Sequence, residues 1–281
     1  MRDSQMPTIK INKDILRELG FSLAGHLNIP DTINYKGTTY RITKISKNGF
    51  RACRKLVSVS IPEEIDEIEP SAFYRCTKLS NIEFRGTRSN QLHIGDKAIC
   101  YTRLIEITLP EGTVSLGQYA IADNTQLLRI HLPQSLKTID EYAFSNCPNV
   151  EKIIVPDSVV YLGAHAFNGW EGLTSVKLSG NIHTLAEGTF LDCWNLKEII
   201  LPEGLRKVNL RAFDGCANIQ HINIPSTIEE IQGDSWLWQN CIQYFSYNGS
   251  KDDWENMWET YNYNKIPLSK VIKCLDGNIR H

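Results

Sequence analysis

Very little in this sequence points to chemistry. No run of apolar residues approaches the roughly 20 that a membrane-spanning helix needs. The opening Met1-Arg2-Asp3-Ser4-Gln5-Met6-Pro7 carries neither the apolar core of a secretory leader nor a lipidation motif. The chain is therefore expected to be soluble, with no membrane insertion; a cytoplasmic location stays open beside a secreted or surface one. A basic excess is also missing: 30 Lys and Arg stand against 32 Asp and Glu, a net charge of -2. That balance argues against nucleic acid as a partner. There is no C-x-x-C, no paired Cys/His spacing, no P-loop and no G-x-G-x-x-G. Eight cysteines in 281 residues are too sparse for a disulfide scaffold. The expectation is no metal, no cofactor and no catalytic residue.

What the sequence has instead is a repeat. An aliphatic residue opens each unit at Ile45, Ile68, Ile94, Leu116, Ile139, Leu162, Leu185, Val208 and Ile231, and most steps are 23 residues. Five residues on stands a large apolar residue: Phe50, Phe73, Ile99, Ile121, Phe144, Phe167, Phe190, Phe213 and Trp236. Three further on come Cys53, Cys76, Thr102, Asn124, Cys147, Trp170, Cys193, Cys216 and Gln239. An L-x-x-I-x-L triplet follows, from Leu56/Val59/Ile61 through Val150/Ile153/Val155 to Ile242/Phe245/Tyr247. Pro62, Pro110, Pro133, Pro156, Pro202 and Pro225 end six of these triplets.

The last two apolar positions of each triplet alternate with polar ones, which predicts a short strand with one face buried. Proline cannot donate to a ladder, so it ends the strand. One unit cannot bury its own apolar stripe; stacked units can, and their strands then pair in parallel. Gly95, Gly117 and Gly163, just after the opening aliphatic, suggest a tight turn there. The step from Ile68 to Ile94 is longer, with Arg85-Gly86-Thr87-Arg88-Ser89-Asn90 expected to bulge.

The composite unit Leu136-x-x-Ile139-x-x-x-Ala143-Phe144-x-x-Cys147-x-x-Val150-x-x-Ile153-x-Val155-Pro156 resembles the BspA-like leucine-rich repeat of bacterial and some protozoal proteins. Both ends resemble that family as well, at Asn28-Ile29-Pro30 through Tyr40 and from Tyr247 to Gly277. The resemblance implies an α/β-type repeat solenoid, a right-handed leucine-rich-repeat coil with a parallel β-sheet on its concave face. It would have about nine turns of ~23 residues with caps at both ends. Residues 1–44 form the N-terminal cap, 45–247 the repeats and 248–281 the C-terminal cap. The family is associated with cell-surface adhesion and protein binding.

An open solenoid exposes its core at both ends, so the terminal units must differ from the rest. Asn12 is placed to cap a short helix bearing Ile15, Leu16 and Leu19, with Gly20 as its stop and a hairpin at Lys36-Gly37 after it. At the other end Ser250 and Asp253 form a capping-box start. Trp254, Met257 and Trp258 then share one helical face, a lid rather than a ligand platform, with Trp236, Trp238 and Tyr244 beside it.

The cysteine column reads as a ladder of small buried residues with free thiols; Cys274, outside it, is the one expected to be reachable. His131 and His221 face outward but lie four repeats apart, and Glu63-Glu64 and Glu229-Glu230 read as solvated loop charge. Among the outward strand positions the middle stands out. Ile154 and Ile200 are apolar there, with Arg129, His131, Lys152 and Lys177 around them. A basic patch with exposed aliphatics suits a protein partner of acidic character. Equally, strands tolerate β-branched residues on both faces. The leading function is a non-catalytic protein-binding or adhesion module, monomeric, with a host or surface protein as partner and a glycan as the variant. A self-associating surface-coat element is the alternative, and an enzyme on the scaffold a third reading.

Overall fold

The computed structural model describes residues 6–87, 89–209, 211–232, 242–261 and 271–280. Trp236, Trp238, Gln239, Cys241 and the side chain of Trp258 lie outside the described residues. The chain is a parallel-strand solenoid of about nine turns and about 23 residues per turn, mostly strand with few helices. Two compact units make it up, Met1–Phe144 and Ser145–His281.

In the first unit the triplets form strands such as Leu56–Ile61 and Asn81–Phe84, paired in parallel so that Val59 meets Ile82. Arg129–His131 pairs in the same way with Glu106–Thr108. The opening aliphatics form a second, shorter set of parallel strands: Glu67–Ile68, Leu92–Ile94, Thr113–Leu116 and Thr138–Ile139. The N-terminus adds one strand to each set. Thr8–Ile11 lies against Thr38–Ile45, and Gly25–Asn28 lies against Leu56–Ile61. Helix Lys13–Glu18 starts where Asn12 Oδ1 accepts from the N–H groups of Asp14 (2.9 Å) and Ile15 (3.0 Å). It stops at Gly20, whose φ of 81° is left-handed. The hairpin turns through Lys36 and Gly37, both left-handed at φ 52° and 81°.

The second unit repeats the plan. Lys152–Ile154 pairs with Ser175–Lys177, while Glu198–Ile200, His221–Ile224, Tyr244–Tyr247, Val271–Cys274 and Gly277–Arg280 follow one another in one sheet. The last two strands form an antiparallel hairpin, so the parallel ladder ends in a reversed strand. Ser250 and Asp253 cap helix Lys251–Tyr261 reciprocally: Asp253 N–H donates to Ser250 Oγ (3.1 Å) and Ser250 N–H to Asp253 Oδ2 (3.1 Å). Trp254 and Met257 are buried, and Trp254 meets Tyr247 edge-on at 5.1 Å.

Within the repeats the described residues contain no helix; the return path consists of turns. The carbonyl of each of the six strand-ending prolines accepts from the N–H three residues on, as Pro133 does from Leu136 and Pro202 from Leu205. The rest of the path rests on two columns of left-handed residues. The first holds Asn48, Ser71, Lys97, Tyr119, Tyr142, His165 and Arg211; the second, four residues later, holds Ala52, Arg75, Tyr101, Asp123, Asn146 and Asp192. Gly169, Gly188 and Gly215 fill the same slots. For a non-glycine residue this conformation costs roughly 1–2 kcal/mol. The return is a second backbone ladder. In the first unit Ser71, Phe73 and Arg75 donate to the carbonyls of Asp96, Ala98 and Cys100 in the next turn. In the second unit His165, Phe167 and Gly169 donate to Glu187, Thr189 and Leu191.

Gly95 and Gly117 open the tight turns expected of them, their carbonyls accepting from Ala98 and Ala120 N–H at 3.1 Å each, and they also permit close approach. A Cβ on Gly95 would lie 2.9 Å from Pro70 N, and one on Gly117 the same distance from Asp96 N, each in the preceding turn.

The core is a stack. Phe50 lies on Phe73 at 5.3 Å in the first unit; in the second, Phe190 lies between Phe167 (5.6 Å) and Phe213 (5.7 Å). The cysteine column does more than fill space. The thiols of Cys76, Cys193 and Cys216 donate to the carbonyls of Phe50, Phe167 and Phe190 one turn back, at 3.0, 3.4 and 3.2 Å. Asn124 has the same task in its turn and donates to Ile99 O at 3.0 Å. Burial pushes the Cys76 thiol up to about 12 and that of Cys193 well above its usual value. The seven described cysteines are free, and of them only Cys274 is part-exposed.

Phe190→Ala should cost about 3–5 kcal/mol in urea unfolding, because it empties a site with a ring on both sides; a loss below about 1 kcal/mol would mean that the stack does not hold the turns together. Partial burial and then Asp276 hold the Cys274 thiol above its usual pKa, so thiol titration at pH 8 should modify it slowly but ahead of the buried cysteines, and Cys274→Ser should remove that equivalent. Fast reaction of Cys76, Cys193 or Cys216 in the folded protein would contradict the packing.

Candidate functional site

The side chains that the core does not use are those at outward strand positions. Where strands pair, the parallel register sets them in two rows. In the second unit Lys152 stands across from Ser175 and Ile154 across from Lys177; on the next three strands Glu198, His221 and Tyr244 form one row and Ile200, Asn223 and Ser246 the other. Strand neighbours put Ile154 directly across from Lys177, with the strand of Ile200 packed on the other side of Lys177. Ile154 is 64% exposed and Ile200 67% exposed, while Ile153 and Ile199 between the rows are buried. Among the described residues neither Lys152 nor Lys177 forms an ion pair. The structure therefore brings Lys152, Ile154, Lys177 and Ile200 onto one solvent-facing surface.

Arg129 and His131 belong to the first unit, on the strand Arg129–His131 beside Glu106–Thr108. Both are exposed, but Arg129 is engaged: its Nη1 lies 3.1 Å from Glu106 Oε2 on the neighbouring strand. Such an exposed pair contributes little to stability, yet it offsets the charge offered to a partner.

The row that continues from Ile200 ends in a polar network that the sequence reading did not assemble. His221 Nε2 lies 2.8 Å from Ser246 Oγ, and Asn223 Nδ2 donates to both Ser246 Oγ (2.8 Å) and Asn248 Oδ1 (3.0 Å). The His221 ring stacks on Tyr244 at 4.5 Å, and Lys273 Nζ sits 3.3 Å from the Tyr244 ring centroid. Burial lowers the His221 pKa below its usual value, with Lys273 adding to the effect and Glu198 opposing it. The 23-residue spacing from His221 to Tyr244 and from Asn223 to Ser246 was the signal in the sequence that could have found this network.

The Ser246 hydroxyl is thus shared between the His221 ring and the Asn223 amide. Among the described residues no group of three or more His, Cys, Asp or Glu is placed to hold a metal ion, and no helix is long and apolar enough to cross a membrane. What the surface can do is present apolar, cationic and hydrogen-bonding groups in fixed register.

The chain is similar to several solved leucine-rich-repeat proteins. The T. pallidum leucine rich repeat protein is 28% identical, with 70% of this chain and 79% of that one covered at a TM-score of 0.52. A leucine rich cell surface protein from Faecalibacterium prausnitzii is 21% identical, covering 83% of this chain and 90% of that one at a TM-score of 0.37. The pneumococcal vaccine antigen PcpA is 16% identical, covering 92% and 89% at a TM-score of 0.47. No curated protein matches the sequence. The family model described as the BspA type leucine rich repeat region matches residues 27–128 and 115–244, in 6 copies. With the repeat columns, the parallel register and this match covering most of its length, the chain belongs to the BspA type leucine-rich-repeat family.

Proposed function

We propose that the protein is a non-catalytic binding module of the adhesion type, and that the outward strand face of the second unit holds a protein partner. The observation that carries this reading is the exposure of Ile154, across from Lys177, and of Ile200, on the strand packed against that of Lys177. Solvent-facing aliphatics of that size bury nothing in the fold, and interface centres are where such residues become useful. Lys152 and Lys177 supply cationic charge at the same place, which suits an acidic partner surface. Ser175, Glu198 and His221 complete a polar margin around the apolar pair. Arg129 and His131 offer similar groups on the first unit's own face, where Glu106 offsets the arginine.

The test is capture from bacterial and host-cell lysates on immobilised protein, wild type beside Ile154→Asp/Ile200→Asp and Lys152→Glu/Lys177→Glu. Each pair of changes should leave the unfolding midpoint within about 0.5 kcal/mol of wild type. Each should weaken the identified partner by more than about 1 kcal/mol per central residue. Equal capture by all three proteins would move the partner off this face. A concentration-dependent increase in mass, abolished by the same changes, would replace a foreign partner with a second copy of the chain.

A further inference from the structure

The first unit carries a pocket unrelated to the strand face. It opens between the N-terminal cap and the first repeat, where helix Lys13–Glu18 and the segment 22–24 lie against residues 51–55, and its volume is about 290 Å³. Five cationic side chains line it: Lys13, Arg17, Arg51, Arg54 and Lys55. Against them stands a single paired carboxylate, Asp14, 3.4 Å from Arg17 and itself well exposed. Lys13 Nζ reaches only the Arg51 carbonyl at 3.5 Å, and Arg51 Nη1 only the Asn48 amide oxygen at 3.4 Å. Arg54 and Lys55 form no ion pair among the described residues.

Four cations elsewhere are paired across neighbouring turns. Lys44 meets Glu67 at 2.6 Å, Arg129 meets Glu106, Arg206 meets Glu229, and Lys207 meets Glu230 at 2.8 Å. Each of these pairs spans one turn, so a carboxylate is readily placed opposite a cation when the fold has use for one. Around the pocket that pairing is nearly absent, and the uncompensated charges repel one another. Three of the five are arginines, whose planar forks match the oxygens of an oxyanion in pairs. The strip that leads away from the mouth has the same character. Arg51 lies over the Tyr74 ring at 5.3 Å, Arg75 over Tyr74 at 5.2 Å and over Tyr101 at 5.8 Å, and Tyr101 is exposed.

We propose that this pocket binds the sulfate or phosphate ester group of an anionic ligand, with Arg17, Arg51, Arg54 and Lys55 facing the ester oxygens. A sulfate ester has the charge of a carboxylate but offers three oxygens to the arginine forks in place of two, and a phosphate monoester adds charge as well, which is why either fits five cations better than a carboxylate does. The open mouth leaves room for the remainder of the ligand outside, and the Arg75–Tyr101 strip gives a chain of further esters a place to lie. The reading does not depend on the strand face of the second unit, and the two sites are separable by substitution.

The experiment is isothermal titration calorimetry at low salt with four probes: a heparin-derived hexasaccharide, a hyaluronan hexasaccharide, inorganic sulfate and inorganic phosphate. The heparin oligosaccharide should bind, with affinity falling as NaCl is raised. Arg54→Ala/Lys55→Ala should weaken it about ten-fold or more, whereas Lys152→Ala/Lys177→Ala should not. Both double variants change exposed residues, and matching unfolding midpoints would show that neither has lost its fold. If inorganic phosphate or sulfate binds with the same sensitivity to Arg54 and Lys55, the pocket is supported and its ligand is a small ester. Hyaluronan binding as tightly as heparin would overturn the ester assignment. Binding that both double variants weaken alike, or no binding by any probe, would overturn the site.

Discussion

Within each unit the described turns satisfy their backbone chiefly through one another. The strands do this in the ordinary parallel way, but the described return paths do it through N–H groups that two left-handed residues per turn aim along the stack. Those conformations are unfavourable for tyrosine, lysine or arginine taken singly, and persist because the ladder holds them. The arrangement explains the constancy of the period. A residue gained or lost in one turn would displace every donor from its carbonyl and every inward side chain from the core. The turn that holds Arg85 to Asn90 takes up its extra length between the two ladders, where such a change is tolerated.

A ladder of this kind leaves unpaired groups at its ends, and the chain meets the two ends differently. At the start, the N-terminal strands extend both sheets and the Lys13 N–H donates to the Gly49 carbonyl of the first repeat, at 2.9 Å. At the far end, the hairpin Val271–Cys274 and Gly277–Arg280 turns the last strand antiparallel while Trp254 covers core beside Tyr247. With backbone and core so committed, the outward side chains are released from any structural duty. Their identities are then free to follow a partner, and in the second unit they include two exposed isoleucines that contribute nothing to the core.

The apolar columns were legible because burial permits few residue types, and the inward phenylalanines and triplets occupy the positions that their spacing implies. The left-handed columns were not legible. Asn48, Ser71, Lys97, Tyr119, His165 and Arg211 share a backbone conformation and no side-chain property, since the ladder and not the side chain imposes it. Gly95 and Gly117 were legible as turn residues, and Ala98 and Ala120 close those turns; that the backbone of the preceding turn also leaves no room for a Cβ was not legible. The buried column was legible as small and inward, but its thiol donors to the phenylalanine carbonyls depend on a contact across turns. On the outward face, position along each strand was readable, but the pairing of Arg129 with Glu106 and the network around His221 required the lateral register. The basic pocket draws on segments near residues 13, 23 and 53, which only the folded cap brings together.

Amide hydrogen exchange followed residue by residue tests the central claim most directly, namely that the return path is a hydrogen-bonded ladder from turn to turn. The account expects the N–H groups of Ser71, Phe73 and Arg75, and of His165, Phe167 and Gly169, to exchange only through unfolding of their unit, as slowly as those of the buried strands. Exchange of these amides at the rate of exposed loop residues, while the strands stay protected, would contradict it.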